Sequence, residues 1–219
     1  MFWKKKQYTY ELDDDIPLLT PVERLSFIVF DTETTGFQIT SKDRLLEIGA
    51  VFVNHLEVTD ISFQTYINPQ RDIPDLIKEL TGITEEKVKD APVALEGIQS
   101  FFLYVEKNRC CALVAHCLAF DLQVIERELK LSGFGCCKPK SLDTMDLLQI
   151  LGLFKQGKDL EAYAVDFGIP VHGRHTALGD AVTTAHLLCE LLKRVKRRYK
   201  TWGELLFALE SRKRASGMF

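Results

Sequence analysis

Hydrophobic positions fall into two regimes along the chain. Between Leu25 and Pro69 they form short dense runs: LSFIVFD, then RLLEIGAVFVN over 44–54, then VTDISFQTYINP over 58–69. Runs of this length, rich in Ile, Val and Phe, predict β-strands, the first of them fully buried. Their short links predict consecutive antiparallel pairing. From Pro74 the spacing becomes helical, in LIKELTGITEEKV and then ALEGIQSFFLYVEK, punctuated by Gly82 and Pro92. CALVAH (111–116) returns to a strand pattern, and AFDLQVIERELKLSG reads as an amphipathic helix closed by Gly133. A short strand near Ser141, helices over DTMDLLQILGLF and LEAYAVDFG, and a long helix from about Ala177 to Tyr199 complete the pattern. Three strands followed by alternating helices and strands predict an α/β fold, one mixed five-stranded sheet with helices on both faces.

Composition narrows this picture. Of the 219 residues, 46% are hydrophobic and 27% charged, which suits one compact domain with short extensions. Residues 1–22, with LysLysLys, AspAspAsp and two prolines, read as an N-terminal extension, 23–200 as the domain and 201–219 as a C-terminal helical tail. No run approaches the roughly 18 apolar residues of a membrane span, and the first basic cluster is followed by no apolar segment, so a soluble, cytoplasmic protein is expected. The six cysteines lack CxxC spacing and are expected to be reduced and mostly buried rather than zinc-bound. A net charge of -3 excludes general polyanion binding and requires any nucleic-acid contact to be local.

The candidate chemistry begins in FIVFDTETTG. Asp31 and Glu33 are two residues apart, so on a strand they share a face, where like charges raise each other's proton affinity unless a cation separates them. The alternative is a strand end meeting solvent with ordinary surface acids. An oxygen-only site favours Mg²⁺ or Mn²⁺ over zinc. Further acids at element ends are Asp121 in AHCLAFD and Asp180 in HTALGDAVTTA; helix N-terminal placement alone would also explain them. The small residues around Asp180 predict a helix packed closely on the sheet. His175, five residues before Asp180, is a candidate general base, since free imidazole titrates near pH 6.5; His172 competes for that role. His116 reads as structural, Asp143 as a helix cap, and Glu47 as either paired or at the sheet edge.

Three ordered motifs, FDTETTG, AHCLAFD and HTALGDAVTTA, together with IPDLIKELTGITEEKVKDAP, make residues 25–192 resemble the DnaQ-like 3′–5′ exonucleases of the DEDDh type, the family of the epsilon proofreading subunit of bacterial DNA polymerase III. The resemblance implies a ribonuclease H-like domain with Asp31, Glu33, Asp121 and Asp180 as metal ligands and His175 as base. It implies two Mg²⁺ or Mn²⁺ ions, about 3.5–4 Å apart in such sites, and release of nucleoside 5′-monophosphates from 3′ ends. Single-stranded DNA is the expected substrate and a DNA polymerase or sliding clamp the expected partner. Thr32, Thr34, Thr35, Gly36 and Phe120 are the implied nucleotide contacts, although a simple turn also explains the glycine.

The chain departs from the family where AHNAxFD is common: Cys117 and Leu118 stand in the second motif. The change removes a side-chain amide near the nucleotide pocket and bears on substrate preference. An exoribonuclease of the ribonuclease T or oligoribonuclease type is the alternative, distinguished by contacts to the 2′-hydroxyl. A phosphatase reading of DTETT would want Asp at position 33, and a dead nuclease would have lost acids that are intact here. The six basic residues within 193–200 read as a solvated helix end, and QILGLF (149–154), loosely like a clamp-binding peptide, reads as core packing.

Overall fold

The computed structural model describes residues 7–8, 12, 16–136 and 139–215. In chain order the strands are β1 (Gln7–Tyr8), β2 (Ser26–Thr34), β3 (Leu45–Asn54), β4 (Glu57–Tyr66), β5 (Ala112–Ala115), β6 (Gly135–Cys136) and β7 (Ser141–Asp143). The α-helices are α1 (Asp75–Thr81), α2 (Glu85–Val88), α3 (Ala94–Asn108), α4 (Leu118–Leu131), α5 (Thr144–Ile150), α6 (Leu160–Phe167), α7 (Ala177–Val195) and α8 (Trp202–Ala215). The main sheet has the order β4-β3-β2-β5-β7. Strands β2, β3 and β4 pair antiparallel, whereas β5 is parallel to β2 and β7 parallel to β5. A separate parallel ribbon joins β1 to β6. The LysLysLys and AspAspAsp runs lie outside the described residues.

Strand β2 is central because both of its faces are apolar. Phe27 and Val29 enter a core with α5, α6, α7 and α8, whereas Ile28 and Phe30 enter a second core with α3 and α4. The two-residue repeat of a strand makes this division and carries it forward to residues 31–34. Helix α8 belongs to the first core through Trp202, whose ring meets Phe27 edge-on at 6.3 Å.

One helix end follows the glycine punctuation of the sequence and two fall short of its pattern. Gly82 (φ 66°) closes α1, donating its N–H to the Lys78 carbonyl. Helix α5 stops at Ile150, since Gly152 (φ 71°) turns the chain. Helix α7 ends at Val195, before Tyr199, and its last N–H groups tighten into i→i−3 bonds from Arg197 and Arg198. Like charges four residues apart, Lys193 with Arg197 and Arg194 with Arg198, disfavour another full turn there. In QILGLF, Ile150 and Leu151 pack on the core, while Leu153 and Phe154 are exposed.

Helix α7 is seated on β3 by two residues of EIGAV. Gly49 lets the helix start lie directly on the strand; a Cβ there would overlap the backbone of Ala177 and Leu178. Glu47, 0% exposed, accepts the Ala177 N–H (3.0 Å) and the Gln64 side-chain amide (2.6 Å). Glu47 is therefore paired, and it satisfies a free N–H of the helix N-terminus. Replacing Gly49 with Ala is expected to force α7 off the sheet and lower unfolding free energy by about 3 kcal/mol. Urea denaturation checks this; an unchanged midpoint would disprove the close seating of α7.

Candidate active site

Residues 31 and 33 continue the odd-numbered face of β2, the side covered by α7. Across the ladder Asp31 pairs with Gly49 and Glu33 with Glu47, the two positions on which α7 rests. Asp180, in the first turn of α7, is thereby delivered beside them. One oxygen from each of Asp31, Glu33 and Asp180 lies within 4.8 Å of the others. Asp121 comes from α4, on the opposite face, and Thr32 donates its hydroxyl to Asp121 Oδ1 at 2.7 Å. The fourth acid is thus tied to the same strand end, outside the trio.

Asp143 sets the start of the helix that carries Asp121. Its carboxylate accepts the N–H groups of Cys117 (3.1 Å) and Leu118 (3.0 Å) and also that of Met145 (2.9 Å). It caps α4 and α5 together, which extends the capping role read from sequence.

The electrostatics follow from burial of like charges. Burial, then Asp121, Glu33 and Asp180, hold the Asp31 carboxyl well above the usual range. Burial, then the charges of Asp180 and Glu47, push Glu33 up to about 8. Burial raises Asp121 to about 7 against the Thr32 hydrogen bond. Asp180 is also raised by burial, opposed by Arg174 and by the His175 N–H. Such a cluster resists full ionisation until a cation joins it.

Arg174 Nη1 meets Asp180 Oδ2 at 2.7 Å, and the His175 N–H reaches the same oxygen at 3.2 Å. His175 holds a left-handed backbone (φ 62°), which aims its N–H at the acid. Its competitor His172 stacks on His186, with centroids 5.5 Å apart. His116 is half-buried, its Nδ1 lies 2.7 Å from the Thr144 hydroxyl, and loss of solvation lowers its pKa to about 4.

The TTG turn is tightly held. Thr34 donates its hydroxyl to the Gly36 carbonyl (2.7 Å) and Thr35 to buried Asp43 (3.1 Å). Asp43 also accepts the Gln38 N–H at 2.8 Å. The Thr32, Thr34 and Thr35 hydroxyls are therefore engaged within the protein. A Cβ on Gly36 (φ 151°) would strike the Asp43 carboxylate. Phe37, next in the chain, is 82% exposed, with its ring 6.2 Å from that of Phe120. Phe37 and Arg174 escaped the sequence reading. An apolar residue placed just after the turn was the available signal for Phe37; Arg174 carried none beyond its charge.

The exonuclease family model of ribonuclease T matches residues 28–188. A DNA polymerase III subunit epsilon-like protein of Rhodobacter capsulatus is 39% identical over 191 residues, 85% of this chain and 27% of that protein. A PolC-type DNA polymerase III of Caldanaerobacter subterraneus is 35% identical over 191 residues, 85% of this chain and 13% of that protein. The chain thus spans about a quarter or less of the length of these curated relatives. Among solved structures, the nuclease domain of 3′hExo, a DEDDh family member bound to rAMP, has a TM-score of 0.66 at 18% identity, covering 78% of this chain and 93% of that one. Exonuclease X in complex with 5′ overhanging duplex DNA has a TM-score of 0.59 at 23% identity, covering 77% and 92%. These likenesses bear out the expected mixed five-stranded α/β fold. With the family match spanning most of the chain and all three motifs meeting at one strand end, the chain belongs to the RNase T exonuclease family, as its resemblance to the DnaQ-like enzymes implied.

Proposed function

We propose that the chain is a divalent-metal-dependent 3′–5′ exonuclease that releases nucleoside 5′-monophosphates from DNA 3′ ends, preferring single strands, in proofreading, repair or end processing. The observation that carries this reading is the convergence of Asp31, Glu33 and Asp180, with Asp121 tethered beside them. An all-oxygen donor set suits Mg²⁺ or Mn²⁺. Asp180 Oδ1, buried without a hydrogen-bond partner among the described residues, is a spare ligand atom. In this reading Asp31, Glu33, Asp121 and Asp180 would together hold the ions. Two bound ions would offset the negative charge that develops on the phosphate and the departing 3′ oxygen. His175 accepts the proton of the attacking water at a ring nitrogen. Phe37 and Phe120 form the surface on which the terminal base stacks, and the Thr34–Gly36 turn fixes their approach.

Residues 23–200 form the catalytic unit in this reading, and α8 braces it through Trp202. Leu153 and Phe154 of QILGLF are the part of that peptide open to a sliding clamp or polymerase. Among the described residues no helix is long and apolar enough to cross a membrane. Cys111, Cys117 and Cys189 carry thiols, those of Cys111 and Cys189 buried, which suits the reducing cytoplasm.

End-labelled single-stranded DNA is expected to shorten stepwise from its 3′ end with Mg²⁺ or Mn²⁺ and not with EDTA. Asp31→Ala should lower kcat about a thousandfold or more. No shortening by the metal-loaded protein would reject the assignment, and faster shortening of a matched RNA would move it to the exoribonucleases. Phe37→Ala is expected to raise KM about tenfold with kcat retained, in line with the loss of one stacked base. An unchanged KM would remove Phe37 from the substrate surface.

The raised acids also fix a pH dependence. Glu33 titrates near 8 in the fold against an ordinary 4.5, so between those values the folded state holds more protons than the unfolded chain. This term favours the metal-free fold fully below pH 4.5 and is lost as pH rises through about 8. The melting temperature in EDTA should therefore fall between about pH 6 and about pH 8, with a shallower fall in Glu33→Gln. Saturating Mn²⁺ should oppose the fall, because the ion binds ionised carboxylates. Calorimetry in both conditions checks this; equal slopes for the wild type and Glu33→Gln in EDTA would contradict it.

A further inference from the structure

Arg174 lies between two sets of acids. Its Nη1 is 2.7 Å from Asp180 Oδ2, while its Nη2 is 3.9 Å from Asp159 and its Nε 3.8 Å from Glu161. The first partner is buried; the other two stand at the surface around the start of α6, with side chains 62% and 56% exposed. Arg174 Nε is buried and has no hydrogen-bond partner among the described residues, so the fork is only partly used. The same guanidinium opposes the upward shifts of Asp31, Glu33 and Asp180. It therefore offsets part of the repulsion within the acid trio from inside the protein.

We propose that Arg174 is a built-in counter-ion that competes with divalent metal for Asp180 and, when metal binds, moves wholly onto Asp159 and Glu161. The inference rests on the metal-site reading above. A divalent ion on the spare Oδ1 of Asp180 would share one carboxylate with the guanidinium on Oδ2, and two cations at one carboxylate repel each other. The receiving acids already lie within 4 Å, so a small side-chain rotation suffices. Exchange of one cation for another keeps the trio compensated in both states. It also lowers apparent metal affinity by the fraction of molecules in which Arg174 has withdrawn.

The test is titration of the full chain with Mn²⁺ alone, without nucleic acid, followed by calorimetry and by electron paramagnetic resonance of free Mn²⁺. Arg174→Gln, close in size but uncharged, is expected to bind Mn²⁺ about tenfold more tightly than wild type. Its melting temperature in EDTA should fall, and Mn²⁺ should restore more of it than in wild type. The double variant Asp159→Asn/Glu161→Gln, which leaves Arg174 nowhere else to go, is expected to bind Mn²⁺ at least about threefold more weakly. An Arg174→Gln affinity equal to or weaker than wild type overturns the competition, and an unchanged affinity in the double variant overturns the exchange. Wild type that binds no Mn²⁺ at all would instead reject the metal site.

Discussion

The structure turns on carboxylates crowded at the end of one buried strand. Asp31 and Glu33 sit where β2 leaves the core, and Asp180 is brought to them by a helix start seated on the neighbouring strand. Burial and mutual repulsion make this arrangement unfavourable in isolation. It persists because packing elsewhere determines it: Gly49 admits the α7 backbone, and Glu47 ties that helix to β3 through the Ala177 N–H. The sheet and α7 share a large apolar core, and the acids are carried along at its edge.

The two faces of β2 divide the labour. Odd-numbered residues reach α7 and collect Glu33 and Asp180 around Asp31; even-numbered Thr32 reaches α4 and holds Asp121. A strand end served from both sides places acids from distant parts of the chain around one point. Asp143 adds to this by fixing the starts of α4 and α5 with one carboxylate. On the rim, buried Asp43 braces the loop that presents Phe37, and a paired Arg44–Glu128 bridge at 2.8 Å ties the end of that loop to α4. In the proposed function such a braced rim would let the exposed Phe37 ring receive a base without prior ordering.

In the proposed metal site, charge balance would link stability to metal binding. The trio needs a cation, and the fold supplies one of its own in Arg174 beside the place a divalent ion would take. Sites that hold several buried like charges face this conflict in their metal-free state. An internal counter-ion resolves it at the expense of metal affinity.

The sequence by itself determined the five strands of the main sheet, most helices, the burial of β2 and the membership of Asp31, Glu33, Asp121 and Asp180 in one motif set. Periodicity and local residue choice carry that information, because side-chain direction along a strand or helix is fixed by its repeat. Only the tertiary structure decided that Glu47 anchors α7, that the hydroxyls of Thr32, Thr34 and Thr35 are held within the protein, and that Arg174 pairs with Asp180. It also set His172 against His186 and brought the exposed Phe37 beside Phe120. The reason is physical: a side chain's partner depends on which elements meet in space, and neither the reach of an arginine nor the target of a hydroxyl is encoded in its neighbours along the chain.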